Sequence, residues 1–298
     1  MKNNLIISLL PFALMAAACG QSGNGTGAFT TESASFSDST AHAALKSSVE
    51  VPVATDKATE EIRKALLETY RCELEGCGFD EDYTVKVTGK QSSSLQETVD
   101  RFCKEAYSQF SKEADSDFDD RVSGLDRSSF DSDEEYQECI ENMSGWECRI
   151  DISLIGKSDR YAVFKSQNYG YYGGAHGGIA GSGPLTYDLS TGELVTDFIK
   201  EGSEAGLQDI LMKGVRDYMA DNDESVELEK MNDVLMTDDG TVPIPTWTPY
   251  PTDKGLTFIY LQYEVLPYVF GMPEFTVPYD EIKPFLTQKA LDLLGLEQ

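Results

Sequence analysis

The sequence predicts an α+β protein in which helices pack on the faces of a largely antiparallel sheet. Segments with apolar residues at helical spacing alternate with shorter segments of strand pattern, and neighbouring strands are joined by turns that suit hairpins. The chain has 298 residues, of which 40% are hydrophobic. This length and composition are sufficient for a sizeable core, so disorder of the whole chain is excluded.

The first part of the chain is predicted to begin with a strand and a helix. Residues 47–54 are expected to form a strand at a sheet edge, because Pro52 lacks a backbone donor. Residues 56–75 carry apolar side chains at helical spacing, and Thr55 or Asp56 can cap that helix.

A second strand is expected at residues 83–88, followed by a long helix that begins near Ser94. Ser94 and Glu97 have the spacing of a capping box. The helix carries one apolar stripe that is expected to pack on a sheet, formed by Leu95, Val99, Phe102, Ala106, Phe110, Ala114 and Phe118.

The second part of the chain alternates hairpins with helices. Residues 148–156 and 160–169 are predicted to form one hairpin, and residues 184–189 and 193–198 another around a Ser-Thr-Gly turn. A helix, a Pro-rich loop, a strand and a last helix follow at residues 203–221, 243–251, 256–262 and 280–294.

The net charge is −28, from 52 acidic and 24 basic side chains. Such a charge opposes nucleic-acid binding and adhesion to anionic membranes, whereas it attracts basic proteins and divalent cations or simply favours solubility. The acids are densest at 113–141, where Asp115, Asp117 and Asp119 resemble part of a calcium loop. The loop glycine is missing and the helical stripe runs through, so a solvated acidic helix end is the preferred interpretation.

The first residues have the pattern of a bacterial lipoprotein signal. Residues 1–18 combine Lys2, a short apolar stretch and a run of small residues, and Cys19 would then be the lipidated first residue. We expect a tether at 19–46, a small α+β domain at 47–140 and a larger one at 141–298. Lipid would be the sole membrane anchor, in a bacterial cell envelope, and the absence of acidic pairs after Cys19 favours the periplasmic side.

Apart from Cys19, which would be lipidated, the chain has five cysteines, and outside the cytoplasm these can form disulfides. The nearby residues Cys139 and Cys148 are the best predicted pair. One further bridge would join two of Cys72, Cys77 and Cys103, and an odd count leaves a thiol unpaired within one chain.

Several motifs of the second part carry a family resemblance. They are YGYYGGAHGG at 169–178, LTYDLSTGELVTDFI at 185–199, TDKGLTFIYLQYEVLPYVFG at 252–271 and FTVPYDEIKPFL at 275–286. In this order they resemble the C-terminal extracytoplasmic domain family of the anti-sigma factor RsiV and its secreted lipoprotein relatives. Residues 47–75 resemble the small domain that also occurs in a peptidoglycan deacetylase.

The resemblance implies recognition of a lysozyme-type enzyme or of cell-wall material. No cytoplasmic sigma-binding segment, transmembrane helix or deacetylase catalytic domain is recognised in the sequence. The expected function is therefore that of a lipid-anchored binding protein rather than an enzyme. Two alternatives remain open: an enzyme that acts on peptidoglycan or another carbohydrate, and a purely structural envelope lipoprotein.

The glycine-rich run contains the first candidate binding residues, Tyr169, Tyr171, Tyr172, Gly173, Gly174 and His176. His176 is expected to fix the loop by hydrogen bonding, because neither a zinc site nor a Ser-His-Asp triad (for example with Ser182 and Asp188) has supporting spacing. The tyrosines have the amphipathic rings that anchor protein interfaces.

The Pro-rich loop contains the other two candidates, Trp247 and Tyr250, which a stiff loop would present to a sugar or protein. The sequence favours equally the alternative that Trp247 fills the core. Glu264 is expected to make a stabilising hydrogen bond. The sequence supports no catalytic residue, metal site or cofactor, and it does not indicate an oligomeric state.

Overall fold

The computed structural model describes residues 29–77, 85–174, 176–222, 234–237 and 240–296. Its elements are, in chain order, β1 (Thr31–Ser39), β2 (Ala43–Pro52), α1 (Lys57–Glu75), α2 (Leu95–Ser123), α3 (Asp133–Glu141), β3 (Trp146–Lys157), β4 (Tyr161–Tyr172), β5 (Gly178–Asp188), β6 (Leu194–Val195), α4 (Glu204–Asn222), β7 (Tyr250–Pro251), β8 (Gly255–Ile259), β9 (Glu274–Pro278), α5 (Tyr279–Ile282) and α6 (Gln288–Leu294).

Two sheets organise these elements. Strands β1 to β6 form one sheet in sequence order, antiparallel except for the parallel pair β2–β3, and β7, β8 and β9 form a second, antiparallel sheet. Helices α1, α2 and α3 lie in the connection between β2 and β3, since parallel neighbours require a long crossover. The predicted α+β class with a largely antiparallel sheet is confirmed.

A first hydrophobic core lies between α1, α2 and one face of the large sheet. Alternate residues of β2 and β3 point into it, and the predicted stripe of α2 is buried there from Leu95 to Ala114. The helix starts are also as predicted. Asp56 caps α1 by accepting from the Thr59 N–H at 2.8 Å, and Ser94 caps α2 by accepting from the Glu97 N–H.

A second core involves α4, the small sheet and the C-terminal helices. Strand β4 joins the two cores, because Ala162 and Phe164 face the first and Tyr161 and Val163 face the second. The large sheet continues across residue 140, where the sequence places a domain boundary, through the parallel pairing of β2 with β3.

The N-terminal segment differs from its prediction. Residues 1–28, with the predicted signal and Cys19, lie outside the described ranges, but residues 31–46 belong to the sheet rather than to a tether. The serines of β1 alternate with Ala34 and Phe36, which pack on the first core. Because β1 pairs with β2, the predicted edge position of β2 is wrong. Pro52 is tolerated as the last residue of that strand.

Two further elements differ from their predictions. Residues 85–88 are not a strand, because Gln109 hydrogen-bonds both the N–H (3.1 Å) and the C=O (2.8 Å) of Lys86. The last helix is not continuous but is interrupted by a 3₁₀ turn at 283–285. Pro284 lacks the N–H that an uninterrupted helix would use, and Thr287 caps a new helix, α6.

The predicted Cys139–Cys148 bridge is wrong. The disulfide joins Cys77 to Cys148 with a Cα–Cα distance of 6.3 Å, because the chain after α1 lies buried over β3. Cys139 on α3 is a free thiol, and so are Cys72 on α1 and Cys103 on α2. The second predicted bridge is therefore not formed among the described cysteines. The Cys77–Cys148 disulfide indicates an extracytoplasmic domain.

The acidic stretch (residues 113–141) covers the end of α2, a 3₁₀ turn and α3. All nine residues of α3 are described and none is buried, which agrees with the predicted solvated helix end. Within the described ranges, no group of three His, Cys, Asp or Glu side chains is arranged to hold a metal ion. Nor does any described helix combine the length and apolar character needed to cross a membrane.

Candidate binding surface

The tip of the β4–β5 hairpin holds most of the sequence-predicted binding residues. The Tyr171 hydroxyl donates to the Gly174 carbonyl at 3.0 Å, and His176 Nδ1 donates to the Gly177 carbonyl at 3.0 Å. Because a carbonyl can only accept, the Nδ1 nitrogen carries the proton in this contact. His176 therefore fixes the tip through a hydrogen bond, as predicted, while its ring remains exposed.

The chain after β8 approaches this tip and adds two tyrosines. The Tyr268 ring stacks on His176 with centroids 4.0 Å apart, and its hydroxyl donates to the Gly177 carbonyl at 3.0 Å. Tyr263 lies 5.7 Å from Tyr268, between ring centroids, and its hydroxyl is 3.4 Å from His176 Nε2. We call Tyr171, His176, Tyr263 and Tyr268 the aromatic surface.

Tyr263 is presented by a tight turn. It has φ of +66° and is the only non-glycine residue with positive φ within the described ranges. The turn is locked by the Glu264 carboxylate, which accepts from the Thr246 N–H at 2.6 Å and the Leu261 N–H at 2.7 Å. The predicted stabilising role of Glu264 is thus confirmed. The Tyr263 ring is 50% exposed, and nearby Val269 is 83% exposed.

The end of α2 also approaches the tip, through Arg121. Gly173 has φ of +77°, and a Cβ there would collide with the Arg121 guanidinium. Arg121 itself donates to Asp117 at 2.9 Å and to the Ser144 carbonyl at 3.0 Å. Both α2 and the 261–271 segment therefore contact the tip, which limits the conformations that the aromatic surface can adopt.

The other two tyrosines of the glycine-rich run are less available. Tyr172 packs edge-on against Trp146 with centroids 5.3 Å apart, and burial raises the pKa of its hydroxyl. The guanidinium of Arg149 lies over the ring of Tyr169, 5.4 Å from its centroid. Tyr172 thus contributes to the first core, whereas Tyr169 packs against Arg149 of the neighbouring strand β3.

The Pro-rich loop does not present its aromatic residues to solvent. Trp247 is 4% exposed, and its Nε1–H donates to the Gly181 carbonyl at 3.0 Å, so it fills the core, the alternative considered above. The Tyr250 hydroxyl donates to Glu274 at 2.9 Å. Burial and, secondly, the Glu274 carboxylate raise the pKa of Tyr250. The two candidates of this loop are therefore not part of the aromatic surface.

The residues considered for a Ser-His-Asp triad are not brought together. Ser182 donates to Glu73 at 2.9 Å, and Asp188 accepts from Ser190 at 2.6 Å, so each has another partner than His176. A pocket of about 450 Å³ contains no residue of the aromatic surface, and its lining includes Lys200, Lys283 and Leu291. No catalytic constellation is recognised among the described residues.

Sequence reasoning identified one half of the aromatic surface and missed the other. Tyr171 and His176 lie in the glycine-rich run, whereas Tyr263 and Tyr268 lie in the Tyr-Glu-x-x-Pro-Tyr segment, which was noted for family resemblance only. A signal was present in that segment, since two tyrosines, one of them next to a proline, follow a strand. Their proximity to His176, 87 residues away for Tyr263, requires the fold.

Comparisons with known proteins place the chain near one family. Residues 196–280 match the family model described as "Protein of unknown function (DUF3298)". A search of curated proteins finds no match. A DUF3298-family crystal structure from Bacteroides fragilis is 22% identical, covers 91% of this chain and 98% of its own, and has a TM-score of 0.61.

A second DUF3298-family structure, from Pseudomonas aeruginosa, is 14% identical over 88% of this chain and 96% of its own, with a TM-score of 0.53. Identities this low show a shared fold alone. The chain therefore has a DUF3298-matching segment, which contains Tyr263 and Tyr268, within a fold similar to that of two DUF3298-family proteins.

Proposed function

We propose that this chain is a lipid-anchored extracytoplasmic binding protein that recognises a basic, lysozyme-type protein through the aromatic surface. The observation that carries the proposal is the cluster of partly exposed rings at the β4–β5 tip, where Tyr263 is 50% exposed beside the exposed His176. Tyrosine rings supply large amphipathic contact areas at low entropic cost, and they are enriched among the residues that dominate interface energies.

Preorganisation also supports a binding role. The rings are held by hydrogen bonds to backbone carbonyls at Gly174 and Gly177, and by ring contacts among His176, Tyr263 and Tyr268. A surface that is ordered before binding loses less entropy when a partner docks. The disulfide supports an extracytoplasmic location. The anchor at Cys19 is supported by the signal-like N-terminal sequence.

The choice of partner is supported by the resemblance to the RsiV extracytoplasmic domain family and by charge. A net charge of −28 attracts a basic protein over long distances and raises the rate of encounter. Charge alone does not select one basic protein among many. The proposal therefore assigns selection to the aromatic surface and steering to the acids.

The test is to measure binding of the mature chain (residues 19–298) to a c-type lysozyme by biolayer interferometry. Tyr263→Ala and His176→Ala are each expected to weaken the affinity about tenfold or more. Tyr136→Ala, which removes a tyrosine of the acidic stretch, is the matched control and should bind as the unmodified chain does.

Three results would contradict the proposal. Absence of binding at low salt would remove lysozyme-type proteins as partners. Binding that disappears at moderate salt and is equal for all variants would be nonspecific charge attraction. Sedimentation with purified peptidoglycan that depends on Tyr263 and His176, without lysozyme binding, would assign the aromatic surface to a cell-wall glycan instead.

A further inference from the structure

Glu73 is a buried carboxylate that neither the sequence patterns nor the proposed function uses. It lies near the end of α1, is 5% exposed, and points at the pair β4–β5. One oxygen accepts from Ser166 Oγ at 2.8 Å, Ser182 N–H at 2.7 Å and Ser182 Oγ at 2.9 Å, and the other accepts from Asn168 Nδ2 at 2.8 Å. All four of these donors are neutral.

These donors surround an irregularity in the sheet. Ser166 pairs with Gly183 and Asn168 pairs with Ala180, so β5 contains one more residue than β4 across this interval. Such a bulge bends the strand and leaves a backbone donor without a ladder partner. The Ser182 N–H is within this interval, and Glu73 satisfies it.

The same bulge is also held by Trp247. Its indole N–H donates to the Gly181 carbonyl at 3.0 Å, and its ring packs so closely on Gly183 that a Cβ there would collide with it. Glu73 and Trp247 therefore both fix the bulge, Glu73 through Ser182 and Trp247 through Gly181 and Gly183. Three residue pairs further along, the strands reach the tip with Tyr171 and His176.

Burying a carboxylate among neutral partners costs desolvation free energy that an apolar side chain of similar size would not cost. Its desolvation is offset only by hydrogen bonds, whereas apolar residues fill the neighbouring positions of α1, such as Leu66 and Tyr70. Only a group that accepts and never donates can receive four donors at once. We therefore expect Glu73 to fix the direction in which the β4–β5 strands leave the bulge, and not only to add stability.

We propose that Glu73 is a positioning residue that sets the direction of the β4–β5 tip and thereby places the aromatic surface. The consequence for partner binding rests on the proposed function, but the consequence for the tip does not. Glu73 holds Ser182 and Asn168 by hydrogen bonds and thereby fixes the bulge. The bulge in turn sets the position of the Ile179 N–H. That N–H donates to Gln262 in the segment that carries Tyr263.

The first test measures amide hydrogen exchange in the disulfide-bonded protein with Glu73→Gln. The new NH2 group takes the place of one carboxylate oxygen, so it faces either the Asn168 amide or the serine donors with a donor of its own. The amides of Ile179 and Ala180 should therefore exchange about tenfold faster. Amides of α4 should be unchanged. Glu68→Gln is the matched control, because Glu68 is an exposed residue of the same helix paired with Arg71.

Unchanged exchange at Ile179 and Ala180 would overturn the proposal, and so would a uniform increase over the whole protein, which indicates lost stability alone. If Glu73→Gln does not fold, Ser182→Ala tests the same proposal. It removes one donor to Glu73 while leaving the packing of α1 intact, and it should raise exchange at the same two amides by a smaller factor.

The second test is a double-mutant cycle on lysozyme affinity with Glu73→Gln and Tyr263→Ala. If Glu73 acts by placing the aromatic surface, each change alone weakens binding, and the two together weaken it little more than Tyr263→Ala does. Fully additive losses would overturn the proposed route. If the unmodified chain does not bind lysozyme, the proposed function fails, and the exchange experiment alone decides the role of Glu73.

Discussion

The aromatic surface and the acidic stretch are both exposed, yet they are built in opposite ways. The aromatic surface lies at the tip of the β4–β5 hairpin, beyond a bulge at which Glu73 and Trp247 are buried and hydrogen-bonded. The acidic stretch has no buried residue in α3, and the ion pair of Arg127 with Asp133 lies in solvent. Exposed ion pairs of this kind contribute little to stability.

The difference separates two tasks of a binding protein. Long-range attraction depends on the total charge and tolerates movement of the side chains, so the acidic stretch needs no rigid support. Selection of a partner depends on the placement of a few rings, so the aromatic surface needs a fixed backbone. Matched substitutions in the two regions measure whether this division holds.

The largest expected effect is at Trp247. Replacing Trp247 with Ala removes a buried indole and its hydrogen bond to Gly181, and should lower the free energy of unfolding by about 3–5 kcal/mol. Phe118→Ala is the counterpart in the acidic stretch, where the ring is partly exposed and stacks on His42 at 3.8 Å. It should cost only about 1 kcal/mol.

Urea denaturation followed by far-ultraviolet circular dichroism is suited to both variants, because its signal does not depend on tryptophan. Equal losses for Trp247→Ala and Phe118→Ala would mean that the two regions are supported to the same degree. The proposed contrast between a rigidly supported aromatic surface and a solvated acidic stretch would then be wrong.

The next effect concerns the cysteines. Cys77→Ser opens the disulfide to Cys148, which closes a chain segment of 71 residues, and should cost about 2–4 kcal/mol. Cys139→Ser, in the acidic stretch, changes a free and partly exposed thiol and should alter stability by no more than about 0.5 kcal/mol. Peptide mapping without reductant gives the pairing directly, and a Cys139–Cys148 peptide would contradict it.

The Cys77–Cys148 disulfide also shows which features can be predicted from local sequence and which cannot. The helices with clear caps and stripes, Asp56 onward and Ser94 onward, were predictable because their signals lie within a few residues. Cys139 and Cys148 looked paired because they are close in the sequence. Cys77 reaches Cys148 only because the crossover places the end of α1 over β3, a long-range consequence of the parallel β2–β3 pairing.

The candidate site divides in the same way. Tyr171 and His176 were predictable from one glycine-rich run, but Tyr263 and Tyr268 join them through contacts between distant segments. Residues 85–88 alternate like a strand, yet Gln109 takes both backbone hydrogen bonds of Lys86 and Glu75 accepts from the Val87 N–H. Glu73 has no distinguishing sequence signal, because its partners are serines and an asparagine about one hundred residues away.

The smallest expected effect is that of charge in the acidic stretch. Glu138 and Glu141 lie in the last turn of α3, which has no basic residue, so they oppose the negative end of the helix dipole. Replacing both with Gln should raise the free energy of unfolding by a few tenths of a kcal/mol at low salt. The gain should vanish in about 0.5 M NaCl, where exposed charges are screened.

The same double variant separates steering from selection. Under the proposed division, Glu138→Gln/Glu141→Gln slows association with a lysozyme at low salt and leaves the dissociation rate unchanged, because rim and remote charges act on encounter. Tyr263→Ala does the reverse and acts mainly on dissociation. A faster dissociation from the two glutamine substitutions would place α3 inside the interface, and the acidic stretch would then share in selection rather than in steering alone.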